Sequence, residues 1–258
     1  MIPFDRLRHV VRVPVRIGGD EYRFLVDTGI GITVVSSALA ARADVRQTGY
    51  WLTARRMSGQ EIQAPLVRLP RVTLGEHTVN DHLACVSDLG DDFAGILGPD
   101  FYAGHVLTID PAAMTLALRD PHEAGGYEVP LQVRREGVTV DAFVTLVLPN
   151  GRQVSVEVDT GSDNLILDTR FAADCGVDLG GPAVTTKTGT DETGYHWTRH
   201  WTRTRGPVHL AAAPGTAQDA PQVQFQDIIY DGLIGTDYLD RYRLTVDFGG
   251  ARMFLQNL

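Results

Sequence analysis

Two stretches decide how this chain reads: FLVDTGIGITVVS (24–36) and VEVDTGSDNLILD (156–168). Each runs through apolar residues into Asp-Thr-Gly and out into a second apolar run, and Asp27 and Asp159 stand half the chain apart. A second pair follows at nearly the same interval, AGILGPDFYAGHVLTID (94–110) and DGLIGTDYLDRYRLTVD (231–247), with Gly98 matching Gly235. A third and weaker pair, MTLAL (114–118) and MFLQNL (253–258), closes each half. Three ordered matches at one offset mean an internal duplication. The halves are expected at 1–122 and 130–258, joined by a linker over 123–129 beside the Pro and paired Gly of PHEAGGY (121–127).

Working outward, the residues before each Asp-Thr-Gly alternate as strands do. VRVPVRIGG followed by EYRFLVDTG predicts a hairpin about Gly18, Gly19 and Asp20, and AFVTLVLPNGRQVSVEVDTG predicts another about Pro149, Asn150 and Gly151. Helices are expected only as short pieces, over 36–43, over 168–175 and after Gly98 and Gly235, where Asp100 and Asp237 stand as N-caps. The fold class is therefore all-β in two similar lobes. The segment 211–222, AAAPGTAQDAPQ, reads as a small-residue loop inserted in the second half.

Composition sets limits on function. Across 258 residues a hydrophobic share of 43 %, with 27 Gly and 13 Pro, excludes disordered, collagen-like and membrane-spanning classes. A formal charge of -9 disfavours a phosphate-tracking surface, so neither nucleic acid nor a membrane is an expected partner. Cys85 and Cys175 lack metal or CxxC spacing and read as small buried residues. Asp5, Arg6, Arg8 and Arg12 fall where a signal peptide would need an apolar core, so a cytoplasmic location is expected. His196 and His200 have i, i+4 spacing, but Trp, Tyr and Thr around them favour strand and no third ligand is evident, so no metal and no cofactor is expected. WTRHWTRTR (197–205) reads as an exposed strand.

The paired DTG loops, each followed by two aliphatics and a glycine (ILG at 96–98, LIG at 233–235), resemble the aspartic proteases, and more closely their retropepsin-like branch than the pepsins. The resemblance spans nearly the whole chain. It implies one catalytic aspartate from each lobe, Asp27 and Asp159, with Thr28 and Thr160 making hydroxyl contacts across the lobe interface. Many retropepsins assemble the site from two identical chains, whereas this chain holds both halves, so it is expected to work as a monomer. Two facing carboxyls cannot both ionise easily, so the pair shares a proton and supplies a base beside an acid. Gly29 and Gly161 are expected to let backbone N–H groups approach the carboxylates where a Cβ would intrude.

The two copies differ one residue later. Ser162 offers a hydroxyl to Asp159, and Ile30 offers Asp27 nothing, so Asp27 is expected to be the more readily protonated member. The family's substrate-covering hairpins imply ARRMSGQEI (54–62), with Met57, Ser58 and Gly59 at its tip, and TTKTGTDETGYHW (185–197), with Thr188 and Gly189 or Gly194 near its tip. Tyr50 and Trp51 are candidates for the aromatic of such a flap. A peptide or protein substrate follows from the resemblance. Two other readings stay open: a non-proteolytic acid-base enzyme such as an isomerase, epimerase or cyclase on the same dyad, and an inactive peptide-binding module.

Overall fold

The computed structural model describes residues 1–120, 124–190 and 194–258. Along Val10–Ile17 the two-residue strand period buries Val11, Val13, Val15 and Ile17 and leaves Arg12, Pro14 and Arg16 the outer positions. Gly18 and Gly19 both take positive φ, which lets the chain turn back along Asp20–Val26. The second half repeats this hairpin, with Thr139–Val147 paired to Gln153–Val158.

These hairpins seed two lobe sheets. One has eight strands drawn from residues 5–97, and the other has ten strands drawn from residues 132–234. In each, the strand entering Asp-Thr-Gly pairs in parallel with the short strand of the aliphatic-aliphatic-Gly motif: Asp20–Val26 with Gly95–Leu97, and Gln153–Val158 with Gly232–Ile234. A third sheet of six strands belongs to both halves, in the order Ile2–Pro3, Thr115–Arg119, Val106–Asp110, Tyr242–Asp247, Arg252–Asn257, Tyr127–Pro130. Its central pair is antiparallel, with Thr108 opposite Thr245 and their hydroxyl oxygens 3.1 Å apart. The architecture is all-β and two-lobed, and one apolar core runs from Val11 in the first lobe through Leu107 and Val246 in the shared sheet to Val156 in the second.

Several expectations change. Of the linker expected over 123–129, Glu123 lies outside the described residues, as do Pro121 and His122 before it, while Tyr127–Pro130 is an edge strand of the shared sheet. The helices are single turns, Ser37–Ala40, Pro99–Tyr102 and Thr236–Leu239, with 3-10 turns at Thr169–Phe171 and Ala173–Cys175. Gly98 and Gly235, not Asp100 and Asp237, occupy the N-cap positions, and neither helix has a side-chain cap.

The segment 211–222, expected as a loop, is in part the strand Ala213–Gln218, paired with Val208–Leu210. Its small residues serve close packing. A Cβ on Gly215 would come within 2.8 Å of the Tyr127 ring, and the buried Thr216 hydroxyl meets the Tyr238 hydroxyl at 2.9 Å. Cys85 and Cys175 are buried free thiols. No helix among the described residues is long and apolar enough to cross a membrane.

Candidate active site

Each Asp-Thr-Gly loop is held at its first residue by the aliphatic motif beside it. The Asp27 N–H donates to the Leu97 carbonyl at 3.1 Å, and the Asp159 N–H donates to the Ile234 carbonyl at 3.1 Å. Val26 and Val158 are fully buried, which pins the strand ends against the core and leaves the two carboxyls facing each other across the lobe boundary. The carboxyls are in hydrogen-bond contact with one another.

The threonines lock the loops reciprocally. The Thr28 N–H donates to Thr160 Oγ1 and the Thr160 N–H donates to Thr28 Oγ1, both at 3.1 Å. Each hydroxyl then donates onward to the opposite strand, Thr28 to the Val158 carbonyl at 2.5 Å and Thr160 to the Val26 carbonyl at 3.3 Å. Both side chains are buried, so loss of either leaves backbone groups unpaired in a dry interface.

The glycines are required by space, and neither has positive φ. A Cβ on Gly29 would lie 2.7 Å from the Asp159 carboxyl carbon, and one on Gly161 would overlap the Asp27 carboxyl. Their N–H groups donate to their own loop's aspartate, Gly29 to Asp27 Oδ1 and Gly161 to Asp159 Oδ1, both at 2.8 Å.

Burial pushes both carboxyls above the usual range, and Asp159 rises furthest because the Asp27 charge acts on it as well. Asp27 is held back by N–H groups of Gly29 and Gly161, by the hydrogen bond from Asp159 and by nearby His9. The two carboxyls therefore titrate as a pair that shares a proton. The Ser162 hydroxyl does not supply the anticipated bond, since its backbone N–H is the donor to Asp159, at 3.2 Å. A backbone N–H is available from any residue but proline, so the side-chain difference between Ile30 and Ser162 does not set the polarity.

The cleft above the dyad has a volume of about 520 Å³. Gly29, Ile30 and Asp159 line it from the loops, and Met57 and Ser58 line it from the first-lobe hairpin. That hairpin reaches the other lobe: the Met57 carbonyl accepts from the Ile229 N–H at 2.8 Å and the Ser58 carbonyl from the Tyr195 hydroxyl at 3.4 Å. Gly59, at φ +84°, makes the turn and lies against Ile229.

The second hairpin meets the cleft with its other strand. Thr188 and Gly189 lie on Thr185–Thr190, outside the lining, with the Trp197 ring packed over Gly189. Residues 195–199 line the cleft instead, which corrects the reading of Trp197 and Arg199 as part of an exposed strand. Within 185–197, Asp191, Glu192 and Thr193 lie outside the described residues. Tyr50 and Trp51 are exposed on the outer face of their hairpin and do not reach the cleft. His196 and His200 bond to Thr190 and Thr186 across the hairpin, and no metal-holding cluster occurs among the described residues.

Four residues near the dyad carry no signal in the motif pattern itself: Tyr195, Tyr230, His9 and Glu157. His9 places Nε2 at 2.9 Å from the Gly161 carbonyl, a contact between distant segments that no local pattern encodes. Glu157 is legible in principle, because the strand period that aims Asp159 at the cleft also aims the residue two before it.

No curated protein matches the chain. A family model described as aspartyl protease matches residues 13–101, from the first hairpin through the ILG strand and into the turn after it. The second half repeats those motifs in the same order and opposes its aspartate to the first. Over residues 13–101 the chain is thus similar to the aspartyl proteases.

Proposed function

We propose that this chain is a single-chain, retropepsin-like aspartic endopeptidase that hydrolyses peptide bonds with both halves of its dyad supplied in cis. The observation that carries the reading is the contact between two buried carboxyls, one per lobe, beneath a hairpin that spans the cleft. Asp27, ionised, takes a proton from a water positioned between the carboxyls, and that water attacks the peptide carbonyl. Asp159, protonated, donates a hydrogen bond to the carbonyl oxygen as negative charge develops there. The proton accepted by Asp27 then passes to the leaving nitrogen as the C–N bond breaks.

The Thr28–Thr160 lock keeps the carboxyls from drifting apart under their mutual repulsion, and Gly29 and Gly161 let them meet. Because no second copy is needed to complete the dyad, the working unit is a monomer, and its partner is a peptide or protein substrate.

The test is incubation with a diverse peptide library at several pH values, read by mass spectrometry, beside Asp27→Asn and Asp159→Asn. Cleavage by the native chain that falls by at least about 10³-fold in both variants is expected. Cleavage surviving in both, or a mass-neutral conversion that needs both aspartates, would overturn the reading.

A further inference from the structure

Aligned on their DTG loops, the lobes differ two residues before the aspartate, where Leu25 of the first matches Glu157 of the second. Glu157 is only 3 % exposed, yet it lines the cleft beside Asp159, and its Oε1 is buried without a hydrogen-bond partner. A carboxyl oxygen in that condition is costly to the fold unless something arrives to satisfy it. Three arginines of this region have contacts of their own, although the Arg199 Nε is also buried without a hydrogen-bond partner. Arg134 stacks on the Phe143 ring at 3.9 Å, Arg199 on the Trp197 ring at 4.5 Å, and Arg55 pairs with Glu61 at 3.1 Å.

The surroundings suit a long basic side chain. Phe143 and Leu233 stand directly across the sheet from Glu157, and Tyr230 packs edge-on against Phe143 at 5.3 Å. Met57, Tyr230 and Leu233 line the same cleft, giving apolar wall for a methylene stem. The charges acting most strongly on Glu157 are Asp159, Asp141 and Asp27, opposed by Arg134. That balance repels an anion and favours a donor carrying positive charge.

We infer that Glu157 makes a cation subsite next to the dyad, selecting substrates with an arginine or lysine side chain on one side of the scissile bond. This deepens the endopeptidase reading and rests on it for the word substrate. The planar guanidinium, able to bond both carboxylate oxygens, is the preferred occupant. Burial raises the Glu157 carboxyl well above its ordinary range, and an arriving cation would bring it back down. Arginine binding should therefore release a proton and strengthen as the pH rises.

The experiment is an NMR titration of the native chain, Glu157→Gln and Glu157→Leu with N-acetyl-arginine methylamide and its neutral twin, N-acetyl-citrulline methylamide. The native chain is expected to favour arginine by about 10- to 100-fold. The preference should grow as the pH rises and vanish in both variants. Equal shifts or none from the two probes, or a preference that survives in Glu157→Gln, would overturn the subsite. Library cleavage separates the two ideas: cleavage without basic preference sinks the subsite alone, whereas absence of all cleavage sinks the endopeptidase reading and leaves the probe pair to judge Glu157.

Discussion

The two lobes share their catalytic loops and part company immediately behind them. Thr33 in the first lobe aligns with Leu165 in the second. Thr33 is buried and gives two donors to Asp100: its N–H reaches Oδ1 at 2.7 Å and its hydroxyl at 2.9 Å. His82 completes the cluster, with Nε2 at 3.1 Å from the Thr33 hydroxyl and 3.4 Å from Asp100. In the second lobe Leu165 has no side-chain donor, and Asp237, at the matching helix position, faces solvent. One substitution thus turns the same acidic residue from an internal strut into a surface charge. Duplication preserved what both halves of the dyad need and left each half free to fill its own interior.

The largest expected effect tests where the lobes are equivalent. Gly29→Ala and Gly161→Ala each push a methyl into the opposite lobe's aspartate, so each should cut peptidase kcat/KM by about 10²- to 10³-fold. The measurement is steady-state kinetics on one cleaved library peptide. Near-native activity in either variant would mean that the loops are not equivalent after all.

The next tests where they differ. Asp100→Ala should cost about 2–4 kcal/mol in urea unfolding, because it strands buried donors, whereas Asp237→Ala should stay within about 0.5 kcal/mol. Similar losses at the two sites would break the comparison. The pH dependence sharpens it. Burial lifts Asp100 to about 7 from an ordinary 3.8, so between those values the folded chain binds the proton that the unfolded chain releases. Stability owed to Asp100 is therefore full below 3.8 and declines as pH rises toward 7. Asp100→Asn keeps an acceptor for Thr33 and removes the titration, so its stability relative to the native chain should improve steadily from about pH 4 to pH 7. A flat difference over that range would contradict the buried neutral state.

A smaller contrast lies inside the lock. Thr28→Val and Thr160→Val should each lose about 1–3 kcal/mol in urea unfolding, with Thr28 the costlier because its hydroxyl bond is 2.5 Å against 3.3 Å for Thr160. The double variant should lose about the sum, since each hydroxyl accepts the other residue's N–H, which valine keeps, and no bond is common to both hydroxyls.

Much of this arrangement is legible in the sequence because it is local or repeated. The hairpins follow from two-residue alternation and turn glycines, and the pairing of lobes follows from the duplicated motifs. Other features depend on distant partners. Segment 211–222 reads as a loop until Tyr127 and Tyr238 supply the surfaces that its small residues fit. Asp100 looks like a helix cap until Thr33, far away in sequence, gives its N–H and hydroxyl to the carboxyl. Thr188 and Gly189 belong to the expected hairpin but to the strand turned from the cleft, because only pairing to Thr198 and Trp197 settles which strand faces inward.

The smallest expected effect concerns the polarity of the dyad. If side chains set it, Ser162→Ala would raise the Asp159 carboxyl further and displace the pH profile. In the structure the Ser162 bond to Asp159 comes from the backbone N–H, which alanine retains. Activity should fall at low pH as the dyad gains a second proton and at high pH as it loses the shared one. Both limbs in Ser162→Ala should lie within about 0.3 pH units of the native profile. A displacement beyond about 1 unit would mean that the hydroxyl turns onto the carboxylate during turnover, and that the lobes differ at the dyad itself as well as behind it.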